Sequence, residues 1–80
     1  MRQVTNHVKR SMRIAGHRTS IALEPEFWAA LEIIARQRVV TMPMLAATID
    51  ASKKPDSSLA SACRVFVLDI ARSGNLTKQR

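Results

Sequence analysis

Arg18-Thr19-Ser20-Ile21-Ala22-Leu23, followed at once by Glu24-Pro25-Glu26, decides the fold of this 80-residue chain. In an extended backbone successive side chains point to opposite faces. Thr19, Ile21 and Leu23 therefore share one side, and Arg18, Ser20 and Ala22 share the other. The first side suits a core. The second carries a forked cation, a hydroxyl and a methyl, and no large apolar group. No other stretch reads as a strand of this quality, and a single strand cannot stand alone, because its N–H and C=O groups need partners. The simplest partner is the same strand from a second copy of the chain. Two such strands about a two-fold axis form an antiparallel ribbon with one apolar and one polar face.

On the N-terminal side, residues 1–11 are polar, basic and without period, and they read as a flexible arm. Met12-Arg13-Ile14 alternates on even positions, whereas Ile21 and Leu23 occupy odd ones, with Gly16 between the two registers. A bulge or bend at Gly16 would reconcile them. The competing reading is a hairpin within the chain, with a first strand near Val8–Ile14 and a turn at Gly16-His17. It would remove the need for a second copy. It is disfavoured because its first strand is poor in β-formers and crowded with cations.

On the C-terminal side the period changes to helical. Pro25 suits a first helical turn, and Glu24 and Glu26 favour its positive end. Phe27, Trp28, Leu31, Ile34 and Ala35 recur at helical spacing. Glu32 and Arg36 form an i,i+4 pair, and Arg36 and Arg38 sit in the last turn. The first helix therefore covers about 25–38, and Trp28 reads as core or dimer interface. Thr41 reads as an N-cap with Pro43 in the first turn, and Leu45 and Ile49 face inward in a second helix over about 42–52. After Lys53-Lys54-Pro55, Asp56 or Ser57 can cap a third helix over about 57–73. Its broad apolar face runs from Leu59 through Cys63, Phe66 and Val67 to Ile70, with Gly74 as the stop. Arg64 lies within that face, where an ion pair with Asp50 is expected. Residues 75–80 read as a tail, leaving 12–74 as the folded domain.

Composition narrows the function. A domain this small has a net stability of only about 3–5 kcal/mol unless something reinforces it. Disulfides cannot, since Cys63 is the single cysteine, which reads as a buried, inert thiol. His7, His17 and Cys63 share no ligand-like spacing, so neither metal nor cofactor is expected. That leaves a homodimer whose core includes Thr19, Ile21, Leu23, Trp28 and Leu31. The net charge is +7, and it is uneven. Residues 1–18 hold five cations and no acid, residues 19–50 carry −2, and residues 51–80 carry +4. A basic start beside a neutral body points to a polyanion; the plainer reading is a solubilising arm. No apolar run approaches membrane-spanning length, and no secretory signal is read, so a cytoplasmic location is expected. A mitochondrial presequence is disfavoured, because the basic start runs directly into the strand. There is no glycine-rich phosphate loop, no nucleophile–base pair and no acidic dyad, so an enzyme is not expected. The polar face of the ribbon has about the width to enter the major groove of DNA.

The order strand, helix, tight turn, helix resembles the ribbon-helix-helix transcriptional regulators, the fold of the Arc and methionine repressors. The likeness rests on Arg18 to Leu23, Pro25, Leu31 with Ala35, and Thr41. It spans roughly residues 17–51. Gly16 to Ile21, Leu23-Glu24, Phe27-Trp28 and the run Leu59 to Leu68 with Ala62, Arg64 and Phe66 resemble a bacterial subgroup of small stand-alone members with an extra C-terminal helix. The resemblance implies a mainly-α fold with one short strand per chain, whose intermolecular ribbon reads double-stranded DNA. By position, the base readers would be Arg18, Ser20 and Ala22: arginine for guanine O6 and N7, serine as donor or acceptor, alanine against a thymine methyl. Thr41 and Met42, at the start of the second helix, would clamp a phosphate. Lys9, Arg10 and Arg13 are further phosphate candidates. His17 would either contact a phosphate or fill the bend. Ala22 is smaller than the usual reader, and Val39 stands at a turn position where glycine is common.

The leading expectation is a sequence-specific repressor acting at the nucleoid, with tandem stacking of dimers along DNA left open. The alternatives are an antitoxin with a toxin partner, not favoured because the third helix is well formed, and a basic nucleic-acid-binding protein indifferent to sequence. A helix-turn-helix reader using residues 42–52 is disfavoured, because that helix offers no long polar side chain.

Overall fold

The computed structural model describes residues 6–74. Its elements run β1 (Val8–Ile14), β2 (His17–Leu23), α1 (Pro25–Arg38), α2 (Met42–Ser52) and α3 (Leu59–Arg72). β1 and β2 pair antiparallel, in a register that runs from Val8↔Leu23 to Ile14↔His17. Ala15 and Gly16 form the loop, with φ of 52° and 83°. Two consecutive residues at positive φ make a type I′ turn, whose twist matches that of the flanking strands. Glycine adopts this conformation freely, whereas an L-residue such as Ala15 is disfavoured there by about 1–2 kcal/mol.

This turn resolves the change of phase. The register pairs residues of opposite parity at every step, so the even residues of β1 meet the odd residues of β2. Directly paired residues lie on the same face, so Met12 and Ile14 join Thr19, Ile21 and Leu23 without any bulge. The ribbon expected between two copies is thus closed within one chain, and the chain has two strands where one was expected. Residues 8–11, expected in the arm, belong to β1. The arm's residues 1–5 and the tail 75–80 lie outside the described residues. Cation density did not prevent strand formation, because the cations are divided between the faces. Lys9 and Arg13 point outward, while Arg10 Cζ lies over the Trp28 ring, 4.5 Å from its centroid, and Arg10 donates to Glu32 at 2.8 Å.

The helices follow their local signals. Glu24 is extended, and its carbonyl accepts from Phe27 and Trp28 N–H at 2.9 and 3.2 Å, with Pro25 at the helix start. α1 ends in a Schellman motif: Val39 is left-handed (φ 57°, ψ 48°) and donates to the Arg36 carbonyl, while Val40 donates to Ala35. Thr41 Oγ1 caps α2 by accepting from Met44 N–H at 3.2 Å. α3 is capped by Ser58 Oγ, which accepts from Ser61 N–H at 3.0 Å, one or two residues beyond the expected Ser57 or Asp56. Gly74 follows α3 with φ of 85° and donates to Ala71.

The architecture is mainly α with a third, C-terminal helix, as expected. Its core draws on every element: Ile14 and Ile21 from the sheet, Leu31 and Ile34 from α1, Leu45 and Ile49 from α2, Cys63 and Val67 from α3. Of the residues assigned to a dimer core, Ile21, Leu23, Trp28 and Leu31 are at most 3% exposed within the single chain, and Thr19 is half-buried. They need no second copy to cover them. Trp28 Nε1 donates to the Val8 carbonyl at 2.7 Å and ties the start of β1 to α1.

Two expected ion pairs are replaced. Arg64 Nε bonds Glu24 Oε1 at 3.0 Å rather than Asp50, because Glu24 sits at the β2–α1 joint that α3 packs against. Glu32 pairs with Arg10 rather than Arg36. A guanidinium already stacked on an indole loses less freedom than an exposed i,i+4 partner, whose bond contributes only about 0.3–0.5 kcal/mol.

Candidate nucleic-acid interface

The outer face of the hairpin is built from three cross-strand pairs: Lys9↔Ala22, Ser11↔Ser20 and Arg13↔Arg18. Five of these six side chains are exposed and Ala22 is half-buried. No carboxylate is among them. In a hairpin with a two-residue loop the flanking pair, here Ile14 and His17, is hydrogen-bonded, and bonded and non-bonded pairs then alternate. The three outer pairs are therefore the non-hydrogen-bonded ones, whose Cα atoms approach to about 4.5 Å. The Ser11 and Ser20 hydroxyls reflect this closeness, with their oxygens 2.9 Å apart.

The same alternation sets the arginines opposite one another. Like charges directly opposed across a sheet are destabilising. Arg13 Nη1 donates to the Gly16 carbonyl at 3.1 Å, which draws it toward the turn but adds no negative charge. The backbone N–H and C=O groups of Arg18, Ser20 and Ala22 point away from β1, along the second edge of β2. No further strand occupies that edge among the described residues.

Arg18, Ser20 and Ala22 thus share one face, as the alternation requires, and β1 adds Lys9 and Arg13 beside them. Arg10 does not join them. It is on the even phase of β1, turned toward Trp28 and Glu32 on the other face of the hairpin. His17 is exposed at the turn, paired with Ile14 and so on the phase of the opposite face. At the start of α2, the Thr41 side chain holds the Met44 N–H, the Thr41 carbonyl holds that of Leu45, and Pro43 has none. The Met42 N–H is what this helix end leaves for an anion. Ser11 was missed. Counting back from Ser20 across a two-residue turn would have found it, once Ala15-Gly16 was read as that turn.

Glu24, His7 and Arg64 meet where α3 packs against the β2–α1 joint. The Arg64 guanidinium holds the Glu24 carboxyl below its ordinary value of 4.5, with the Glu24 backbone adding to the effect. His7 Nε2 lies 3.2 Å from Glu24 Oε2 and 3.4 Å from Arg64 Nη2. Burial pushes the Cys63 thiol up to about 11, which leaves it protonated and unreactive at neutral pH. No group of three metal-ligating side chains occurs among the described residues. No helix among them is long and apolar enough to cross a membrane.

No curated protein and no solved structure matches the chain. A family model described as a ribbon-helix-helix domain matches residues 7–71, a span that takes in the hairpin, α1, α2 and all but the last residue of α3. With most of its length so matched, the chain belongs to the ribbon-helix-helix family.

Proposed function

We propose that the protein is a sequence-specific transcriptional repressor that lays the outer face of its β-ribbon in the major groove of double-stranded DNA. Family membership supports a DNA-binding regulator or an antitoxin. The observation that carries the finer reading is the outer face itself. Lys9, Arg13 and Arg18 surround two hydroxyls, with two arginines directly opposed and no acid among the six residues. Such a face is strained by its own charge in isolation and relieved by phosphates. Arg18 reads a guanine, Ser20 a polar base edge and Ala22 a thymine methyl, while Lys9 and Arg13 contact phosphates. His17 and the Met42 N–H at the Thr41-capped helix end are secondary phosphate contacts.

The protein acts as a homodimer that joins β2 to β2 along their free edges. The hairpin and closed core remove the need for a dimer to complete the fold, so the support for one is the open β2 edge and the family. Four strands at about 4.8 Å spacing set the outermost axes roughly 14 Å apart, against a major groove about 12 Å wide. The β2 strands then lie over the bases, and the long Lys9 and Arg13 side chains of the β1 strands reach outward to the phosphate walls. An antitoxin would need a segment free to hold its toxin. α3 instead buries Cys63 and Val67 in the core, which favours the repressor.

Selection from a random DNA pool tests this reading. A palindromic motif is expected, and a dimer with about 6–10 phosphate contacts loses on the order of 10³–10⁵ in affinity between 50 and 200 mM salt. Enrichment of no motif, or binding insensitive to salt, would overturn it.

A further inference from the structure

Ser11 and Ser20 stand directly opposite on the outer face, both exposed, with hydroxyl oxygens 2.9 Å apart. Each hydroxyl has one proton and two lone pairs. When two hydroxyls bond to one another, one of them spends its only proton. Toward a third partner that oxygen can only accept, while the other still has its proton to donate. Either serine can take either part, but the pair always offers one donor and one acceptor side by side. A lone serine has no such constraint and can serve equally as donor or acceptor.

Base edges in the major groove differ in this pattern. Adenine shows the N7 acceptor beside the N6 amino donor. Guanine shows two acceptors, cytosine a donor alone, and thymine an acceptor with a methyl. Among single base edges only adenine complements a neighbouring donor and acceptor; a G·C pair offers the same pattern only across the two strands, at guanine O6 and cytosine N4. Facing guanine, the accepting oxygen of the pair would meet a second acceptor, and both would lose their hydrogen bonds to water without replacement.

We infer that Ser11 and Ser20 act as a single composite reader that selects adenine, with Ser11 a specificity-determining residue of the DNA-binding face. The inference rests on the reading of that face as DNA-binding. It assigns a base-directed role to β1, where no base reader was expected. The flanking pairs support the placement: Ala22 with Lys9 on one side and Arg18 with Arg13 on the other put the two hydroxyls at the middle of the surface. Both hydroxyls lie outside the core, so changing them leaves Ile21 and Leu23 packed as they are.

The test uses the full chain and DNA selected by it from a random pool. The enriched motif is expected to hold an adenine in each half-site whose replacement by guanine lowers affinity about tenfold, the low end of a two-bond base contact. Replacing that adenine by 7-deazaadenine, which lacks the N7 acceptor, or by purine, which lacks the amino donor, should have a similar effect. Ser11→Ala frees the Ser20 hydroxyl to serve as donor or acceptor. It should cut the adenine-over-guanine preference to about twofold or less. Ser11→Thr keeps the hydroxyl and should restore the preference. A selected motif without such an adenine, or undiminished discrimination by Ser11→Ala, would overturn the composite reader and leave the regulator standing. Failure of the wild-type chain to enrich any motif would overturn both.

Discussion

Arg18→Ala should raise the stability of the free protein and lower its selectivity for DNA. The two effects have opposite signs because the same side chain is a poor neighbour at rest and a good contact when bound. Arg18 is exposed, faces Arg13 across a close pair, and touches none of the core. Cross-strand charge pairs contribute about 0.2–1 kcal/mol, with the sign reversed for like charges. Relief of about 0.5 kcal/mol in a domain of this size raises Tm by roughly 2–4 °C. The gain should shrink at about 1 M salt, where the screening length is about 3 Å. On DNA the loss of a forked guanine contact removes about 1–3 kcal/mol of discrimination per half-site, while non-specific binding persists through Lys9 and Arg13. The assay is thermal denaturation at two salt concentrations, with titration of selected and scrambled duplexes. The double variant Lys9→Ala with Arg13→Ala is the control. It should weaken both duplexes equally and reduce the salt slope by about 0.9 for each phosphate no longer neutralised. If Arg18→Ala lowers Tm, the opposed pair is not a source of repulsion. If it weakens both duplexes equally, Arg18 is a phosphate clamp and the assignment of the reading strand is wrong.

Four further outcomes are expected. Val39→Gly should stabilise the chain by about 0.5–1 kcal/mol in chemical denaturation, since the left-handed cap disfavours a branched side chain more than glycine loosens the unfolded chain; a loss would mean that the 88%-exposed Val39 side chain is covered in the working assembly. Trp28→Phe removes the bond to the Val8 carbonyl and weakens the Arg10 stack, costing about 1–2 kcal/mol and speeding amide exchange at the start of β1; unchanged exchange there would show that the indole does not hold the strand. Ile21→Lys sets an unpaired charge at a position only 2% exposed and should cost more than about 4 kcal/mol, enough to unfold the chain by circular dichroism. Because the Glu24 carboxyl is held below its ordinary 4.5 in the folded state, the Glu24–Arg64 pair stabilises the fold above that value and loses its contribution as pH falls through the depressed one; Glu24→Gln should flatten the acid limb of a Tm–pH curve, and identical limbs would refute the pairing.

How far the sequence was legible depends on which signals were local. The spans of α1 and α2 follow from Pro25, from Thr41 and from apolar spacing, because a cap or a helical stripe is decided within one or two turns. The outward phase of Arg18, Ser20 and Ala22 follows from the alternation of β2 alone. The hairpin was harder to see, although its signals were present: the even phase of Met12 and Ile14, the odd phase of Ile21 and Leu23, and Gly16 between them. What hid it was Ala15, which stands where a type I′ turn prefers Asn, Asp or Gly. The cations of β1 also lowered its apparent propensity. Sheet propensity reflects packing against neighbours, and Arg10 had a neighbour in Trp28 that lies 18 residues away. The partners of Arg64 and Glu32 were illegible for the same reason, since each depends on which elements the tertiary fold brings together.

The sorting of the arginines connects fold to function. Arg10 lies on the Trp28 ring and bonds Glu32; Arg64 bonds Glu24 and sits 5.9 Å from the Phe27 ring; Arg38 lies 5.2 Å over Phe66. Each is tied to an acid, an aromatic face, or both, and each lends its apolar stem to the surface it covers. Lys9, Arg13 and Arg18 have neither kind of partner among the described residues, and all three project from one face of one hairpin. A fold that ties Arg10, Arg38 and Arg64 in this way has carboxylates available; Glu24 and Glu32 both bond groups that approach from the sheet's other face or from α3. Leaving three cations together, two of them opposed, raises the energy of the free protein and lowers it when a polyanion lies across the ribbon. If the ribbon binds DNA as proposed, the free energy stored in that repulsion is returned on binding, and the arrangement that weakens the hairpin in solution strengthens its hold on the phosphates.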